Sequence, residues 1–245
     1  MEWQPAQKTS GEEKEVSGRD RLVAAFEILA VAAFGDFIFV PLFLFATRLD
    51  VTAILGQSHI LFLVLIAKAT VSLILIGVLL RVRKQNFKTI GWEGRRMWKE
   101  ASIGAAFLPL CFGVIALVGF GFQMALPEFV TEYNPLLALL QESGDLLLFL
   151  ISSIYVGGIQ EEIQRAFILV RFEHLGGSMV GLILWSVYFG AGHSVQGLDN
   201  AIKAGILGLL FGLLYLRQRN LTAPIVSHAL YDVTTVLIFW FFMRG

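Results

Sequence analysis

Long apolar stretches separated by short polar breaks make up most of this chain, and the first begins near residue 22. A helix needs roughly 20 apolar residues to cross the hydrocarbon core of a bilayer. Stretches near that length run at 22–47, 58–80, 101–126, 145–172, 178–194, 200–217 and 221–243. None alternates with the period of two that a barrel strand requires, so the predicted spans are helices. The expected fold class is all-α, a polytopic transmembrane helical bundle of about 7–8 spans; the eighth arises if the first stretch breaks near Pro41. Asn134-Pro135 opens a short segment, 135–142, that reads as a separate interfacial helix, because proline suits a first helical turn.

Composition agrees with a membrane location: 56% of residues are hydrophobic, 16% are charged, and the mean hydropathy is +0.72. A soluble domain is closer to a quarter charged. The net charge of +0 gives no reason to expect a nucleic-acid partner. Cys111 is the single cysteine, which excludes an intramolecular disulfide.

Charge placement is more informative than its sum. Residues 1–21 are polar and read as a cytoplasmic tail, not a signal peptide, since the apolar run that follows is too long for a signal core. Arg81, Arg83, Lys84, Lys88, Arg95, Arg96 and Lys99 crowd the loop after the second span. Glu128, Glu132, Glu142 and Asp145 occupy the next loop, which has no basic residue. The positive-inside rule then predicts an integral, multi-pass protein with a cytoplasmic N-terminus. In the basic loop Trp92 and Trp98 read as interfacial anchors, and attraction to anionic lipid is an added role. The chain divides into the tail 1–21, the helices and loops of 22–144, and the helices of 145–245, which carry the unusual chemistry.

Ionisable groups inside hydrocarbon cost a few kcal/mol each, so they face the bundle interior and mark functional sites. Glu27, Asp36 and Lys68 are scattered through the first two spans, whereas the fourth reads LLLFLISSIYVGGIQEEIQRAFILVRF. Glu161 and Arg165 are four apart and share a helix face, and Glu162 reaches the same arginine from three apart. One carboxylate is thus neutralised while the other keeps some freedom, and the pair should titrate as a coupled set. A carboxylate in that setting serves as a general base toward water. His193 ends the fifth stretch, and His228 and Asp232 are four apart on the seventh, as a carboxylate–imidazole pair. At 1.5 Å per residue, Glu161 lies roughly 16 Å, His193 roughly 22 Å and His228 roughly 10 Å from the cytoplasmic ends of their spans. All three fall near mid-membrane. Glycines at 157, 158, 176, 177, 181, 205, 208 and 212 predict close helix packing in the same half.

These segments resemble the CAAX protease and bacteriocin-processing family of intramembrane endopeptidases. That family shows Glu-Glu-x-x-x-Arg, Phe-x-x-x-His and His-x-x-x-Asn/Asp motifs on successive helices. Phe189…His193 fits the second motif and His228…Asp232 the third. The first fits in two registers. One keeps the spacing to Arg165, with Glu161 as the family's catalytic glutamate, Gln160 preceding it and Glu162 an extra carboxylate. The other puts Glu161 and Glu162 at the glutamate pair and shifts the arginine by one. The i,i+4 geometry favours the first.

The resemblance implies a polar cavity at membrane depth and proteolysis by an activated water. Glu161 and His193 would orient and deprotonate that water. His228, held by Asp232, would donate to the oxyanion or leaving amine, and Arg165 would tune the carboxylates. No cofactor is implied; a Glu/His/His zinc site is the less favoured alternative, since no HExxH is present. The implied partners are membrane lipid and a peptide or protein substrate, prenylated or leader-bearing. Other readings are a non-catalytic binding or regulatory protein of the same fold, a proton-relay transporter, and a rhomboid-like serine protease using Ser178. The last leaves the Glu161/Glu162/Arg165 cluster unexplained.

Overall fold

The computed structural model describes residues 16–243 apart from 95 and 133. Positions 1–15 of the expected tail, and Arg95 of the basic loop, lie outside the described residues. All regular structure in the described part is helical. Six helices are long and apolar enough to span a bilayer: α1 Gly18–Thr47, α2 Ser58–Val82, α3 Met97–Ala125, α4 Ser143–Phe172, α6 Leu198–Gln218 and α7 Thr222–Met243. Between α4 and α6 lies the shorter apolar helix α5, Ser178–Gly192. The protein is an integral, multi-pass membrane helical bundle. Its lipid-facing surface is evident from wholly apolar exposed side chains, including Phe26 and Phe45 on α1, Leu117 and Met124 on α3, and Ile183 and Val187 on α5.

Three expectations about helix ends and breaks are corrected. α1 begins at Gly18 and not 22, because Ser17 Oγ accepts from the Asp20 amide at 3.1 Å and caps the first turn. α1 also does not break at Pro41. A π-helical turn, Phe34–Phe39, ends two residues before the proline, and the Val40 amide reaches back to the Gly35 carbonyl. The wider turn accommodates the ring and the missing N–H that would kink an α-helix. There is therefore no eighth span among the described residues. The interfacial helix is also shorter than expected, Pro135–Ala138, because Asp145 Oδ2 accepts from the amides of Gln141 (3.0 Å) and Glu142 (2.9 Å) to start α4.

The lower half of α4 is the hub of the bundle. Every residue from Glu162 to Arg171 except Gln164 is buried. Ile163, Phe167, Ile168 and Leu169 pack with Val31 of α1, Ile76 and Leu80 of α2, Leu182 and Trp185 of α5, and Tyr215 of α6. A helix buried on all sides needs no amphipathic stripe, which is why its apolar run is nearly continuous.

α5 has 15 residues, a rise of about 22 Å, and so falls short of a full crossing. Beyond it the chain turns at Ser194–Gln196 and enters α6. The loop after α3 covers that turn. The Thr131 amide and hydroxyl donate to Asp199 Oδ1 at 3.2 and 2.7 Å, Lys203 Nζ donates to Asp199 Oδ2 at 2.6 Å, and Asn134 Nδ2 donates to Gln196 Oε1 at 3.2 Å. The Thr131 amide, outside any helix, is thereby satisfied within the protein, as non-helical backbone in a membrane bundle must be.

α5 and α6 approach unusually closely. A Cβ at Gly190 would lie 2.7 Å from the Ala201 carbonyl oxygen and 3.1 Å from Gly205 Cα. Gly190→Leu is therefore expected to cost about 1–3 kcal/mol through overpacking, seen as a lower unfolding temperature in micelles. An unchanged temperature would mean that the helices do not meet there.

Candidate active site

α4 changes character where the polar residues begin. Ser153–Glu161 is π-helical, and the α-helix resumes at Glu162. Such turns recur at functional sites because the wider coil re-aims side chains. Here adjacent glutamates are sent to different environments. Gln160, Glu161 and Gln164 line a cavity of about 630 Å³, together with His193, His228 and Asp232. Glu162 points away from it and is 1% exposed.

Glu162 Oε1 receives two partners. One is the fully buried Arg165 guanidinium, through Nη1. The other is His228 Nδ1, at 2.7 Å. The expected i,i+4 pairing of Arg165 with Glu161 is therefore replaced by an i,i+3 pair with Glu162. The physical reason is burial: the carboxylate without access to the cavity has the greater need of a counter-charge. Arg165 Nε and Nη2 make no hydrogen bond among the described residues. The guanidinium instead lies 5.0 Å from the Phe189 ring centroid and 6.0 Å from that of Phe211.

His228 is held on several sides. Phe211 stacks on its ring at 4.6 Å, and Phe189 meets it edge-on at 6.3 Å. With Nδ1–H donated to Glu162, Nε2 faces Asp232 Oδ2 at 3.6 Å and Glu161 Oε2 at 3.8 Å. Both distances are too long for direct hydrogen bonds. The expectation that Asp232 fixes the ring is thus corrected; in this geometry Glu162 does so from another helix. Asp232 approaches closely only because residue 157 is glycine. A Cβ there would lie 2.5 Å from Asp232 Oδ2 and 3.5 Å from His228 Nε2.

His193 lines the same cavity but makes no hydrogen bond to Glu161 among the described residues. Its Nδ1 donates to the Phe189 carbonyl at 2.8 Å, and its ring lies 4.6 Å from that of Phe189. That bond leaves Nε2 as the acceptor nitrogen of the neutral ring. Phe189 therefore carries three contacts: to Arg165, to His228 and to His193. Ser178 lies at the opposite end of α5, where its hydroxyl donates to Glu173 Oε1 at 3.2 Å, outside the cavity.

Other residues of the site carried no specific catalytic signal in the sequence. Phe211 and Gly157 act by shape alone. Gln160 donates to Gln164 at 2.5 Å, and Gln164 donates to the Val31 carbonyl at 3.0 Å, tying the cavity wall to α1. Lys203, Asn134 and Gln196 also line the cavity.

Carboxylates and imidazoles from three helices thus gather around one cavity of the bundle. Residues 142–234 match the family described as Rce1-like, the type II CAAX prenyl endopeptidases, a stretch that contains all three motifs. Over this region the chain is similar to that family of CAAX-type endopeptidases. No curated protein and no solved structure matches the chain.

Removing Arg165 should strand the buried Glu162. Arg165→Met is expected to destabilise the protein by about 3–5 kcal/mol. The double variant Glu162→Gln/Arg165→Met should recover part of that loss in equilibrium unfolding from mixed micelles. If the double variant is no more stable than Arg165→Met, the pairing is wrong.

Proposed function

We propose that this protein is an intramembrane endopeptidase in which Glu161 activates the attacking water and His228 serves the developing oxyanion. The observation that carries this reading is the 3.8 Å separation of Glu161 Oε2 and His228 Nε2 on the cavity wall, with the far side of the same ring fixed by Glu162. The gap is too long for a direct hydrogen bond, yet one oxygen atom can touch both groups.

In this scheme Glu161 takes a proton from water, and the water oxygen bonds to the scissile carbonyl carbon. His193 Nε2, free of the Phe189 carbonyl, accepts the water's second hydrogen bond. Protonated His228 donates from Nε2 to the new oxyanion, with Glu162, Asp232 and Glu161 around it to balance its charge. Collapse of the tetrahedral intermediate breaks the C–N bond, and the leaving amine receives the proton from Glu161. The products are a carboxylic acid and an amine. A preorganised donor of the His228 kind contributes about 2.7–4 kcal/mol to such a transition state. Arg165 acts one step removed, by holding Glu162. The chemistry then resides in helices 145–245. The proposed scheme uses no metal. Activity is accordingly expected to survive a chelator.

The substrate class is a membrane-associated peptide or protein, prenylated or leader-bearing, entering from the surrounding lipid. Glu161→Gln should lower cleavage of a membrane-tethered fluorogenic peptide by about 10²–10⁴-fold without changing the unfolding temperature, and His193→Ala should do the same to a smaller degree. Undiminished cleavage by Glu161→Gln would overturn the assignment. Absence of any cleavage alongside intact cellular function of that variant would favour a binding or regulatory role.

The basic loop supports a cytoplasmic N-terminus by the positive-inside rule. Cys111 is fully buried, so a cysteine introduced at the exposed Lys88 reports alone. An impermeant maleimide should label it only after the cells are opened; labelling of intact cells would reverse the topology.

A further inference from the structure

A second polar cluster lies well away from the cavity, where α1 begins and α2 ends. Glu27 of α1, 2% exposed, is shared by two guanidiniums: Arg83 Nε at 2.8 Å and Arg171 Nε at 2.6 Å. Arg171 is fully buried, donates to Gln85 Oε1 at 2.9 Å and lies 4.4 Å from the Phe167 ring centroid. One carboxylate thus faces two permanent cations, which leaves one positive charge in excess. Arg83 Nη2 and Arg171 Nη1 make no hydrogen bond among the described residues. An ion cluster this imbalanced is costly to bury unless an anion completes it.

Such an anion has access. An open groove of about 470 Å³ reaches the cluster at Arg83, and is lined besides by Ser17, Arg19, Asp20, Val23 and Gln85. Arg19 is exposed and balances Asp20, whose carboxylate accepts from the Ser17 hydroxyl at 2.7 Å, so the excess positive charge of the cluster stands. Two guanidinium groups therefore face the groove, a pair suited to the oxygens of a phosphate. Further along α1, Leu22, Phe26 and Leu29 are largely exposed apolar side chains. Charge at the groove and a hydrocarbon face further along α1 match a phosphate ester that carries acyl chains.

We propose that this groove binds the phosphate of an anionic phospholipid, with Arg19 and Arg83 as its ligands and the acyl chains along the exposed face of α1. The site stands apart from the proposed catalytic cavity, so it does not depend on the proteolytic reading. The test uses the full-length protein in micelles, with dioctanoyl phosphatidylglycerol, dioctanoyl phosphatidylcholine and inorganic phosphate as probes in native mass spectrometry. Phosphatidylglycerol should be retained about tenfold better than phosphatidylcholine, the factor expected for one charge-assisted contact. Arg19→Ala should remove most of that preference without altering the unfolding temperature. Arg83→Lys keeps the charge opposite Glu27 but lacks the guanidinium fork, and should weaken binding as well. Equal retention of the two lipids, or wild-type retention by both variants, would overturn the proposal. Binding of inorganic phosphate without phosphatidylglycerol would overturn the lipid as its source.

Discussion

Glu162, Arg165 and His228 form a buried charged clamp on which the arrangement of the second half depends. A carboxylate and a guanidinium that are both essentially inaccessible carry a large desolvation cost, offset only if their geometry is held. Glu162 meets that requirement by accepting from Arg165 on its own helix and from His228 on α7. Arg165 in turn lies against Phe189 of α5 and Phe211 of α6. One charged cluster therefore fixes four helices. It also leaves Glu161, one residue earlier, facing the cavity with a partly accessible carboxylate.

The division of labour between adjacent glutamates follows from the local backbone. In an uninterrupted α-helix, side chains one residue apart diverge by about 100°. The π-helical stretch that ends at Glu161 sets where that divergence falls relative to α6 and α7. Gly157 within the stretch allows Asp232 to approach, and the short α5 delivers His193 at its C-terminal end to the same cavity. The loop carrying Thr131 and Asn134 covers the turn beyond His193 and adds a polar group to the cavity wall.

Much of the bundle was legible in the sequence because the bilayer imposes its own period: a helix must stay apolar for about 20 residues or not cross. The seven apolar stretches correspond to α1–α7, with differences of a few residues at their ends. The six ionisable residues Glu161, Glu162, Arg165, His193, His228 and Asp232 stood out because charge in hydrocarbon is costly. Five of them, all but His193, fall in one network of close approaches, and His193 shares the cavity. Their pairing was not legible. Spacing alone favoured Glu161 with Arg165, and Asp232 with His228, because both are i,i+4. It cannot register a π-helical turn, nor tell which carboxylate lacks access to the cavity. Phe211, which stacks on His228 from α6, looked like any apolar residue of a membrane span.

The most direct test of this account is a pair of double-mutant cycles on equilibrium stability, one between Glu162 and His228 and one between Asp232 and His228. Neutral replacements (Glu162→Gln, Asp232→Asn, His228→Gln) keep the side chains polar. The account predicts a coupling of about 1–3 kcal/mol for Glu162 with His228 and a clearly smaller one for Asp232 with His228. The reverse order would mean that Asp232 holds the imidazole, and that Glu162 is not the residue around which the site is built.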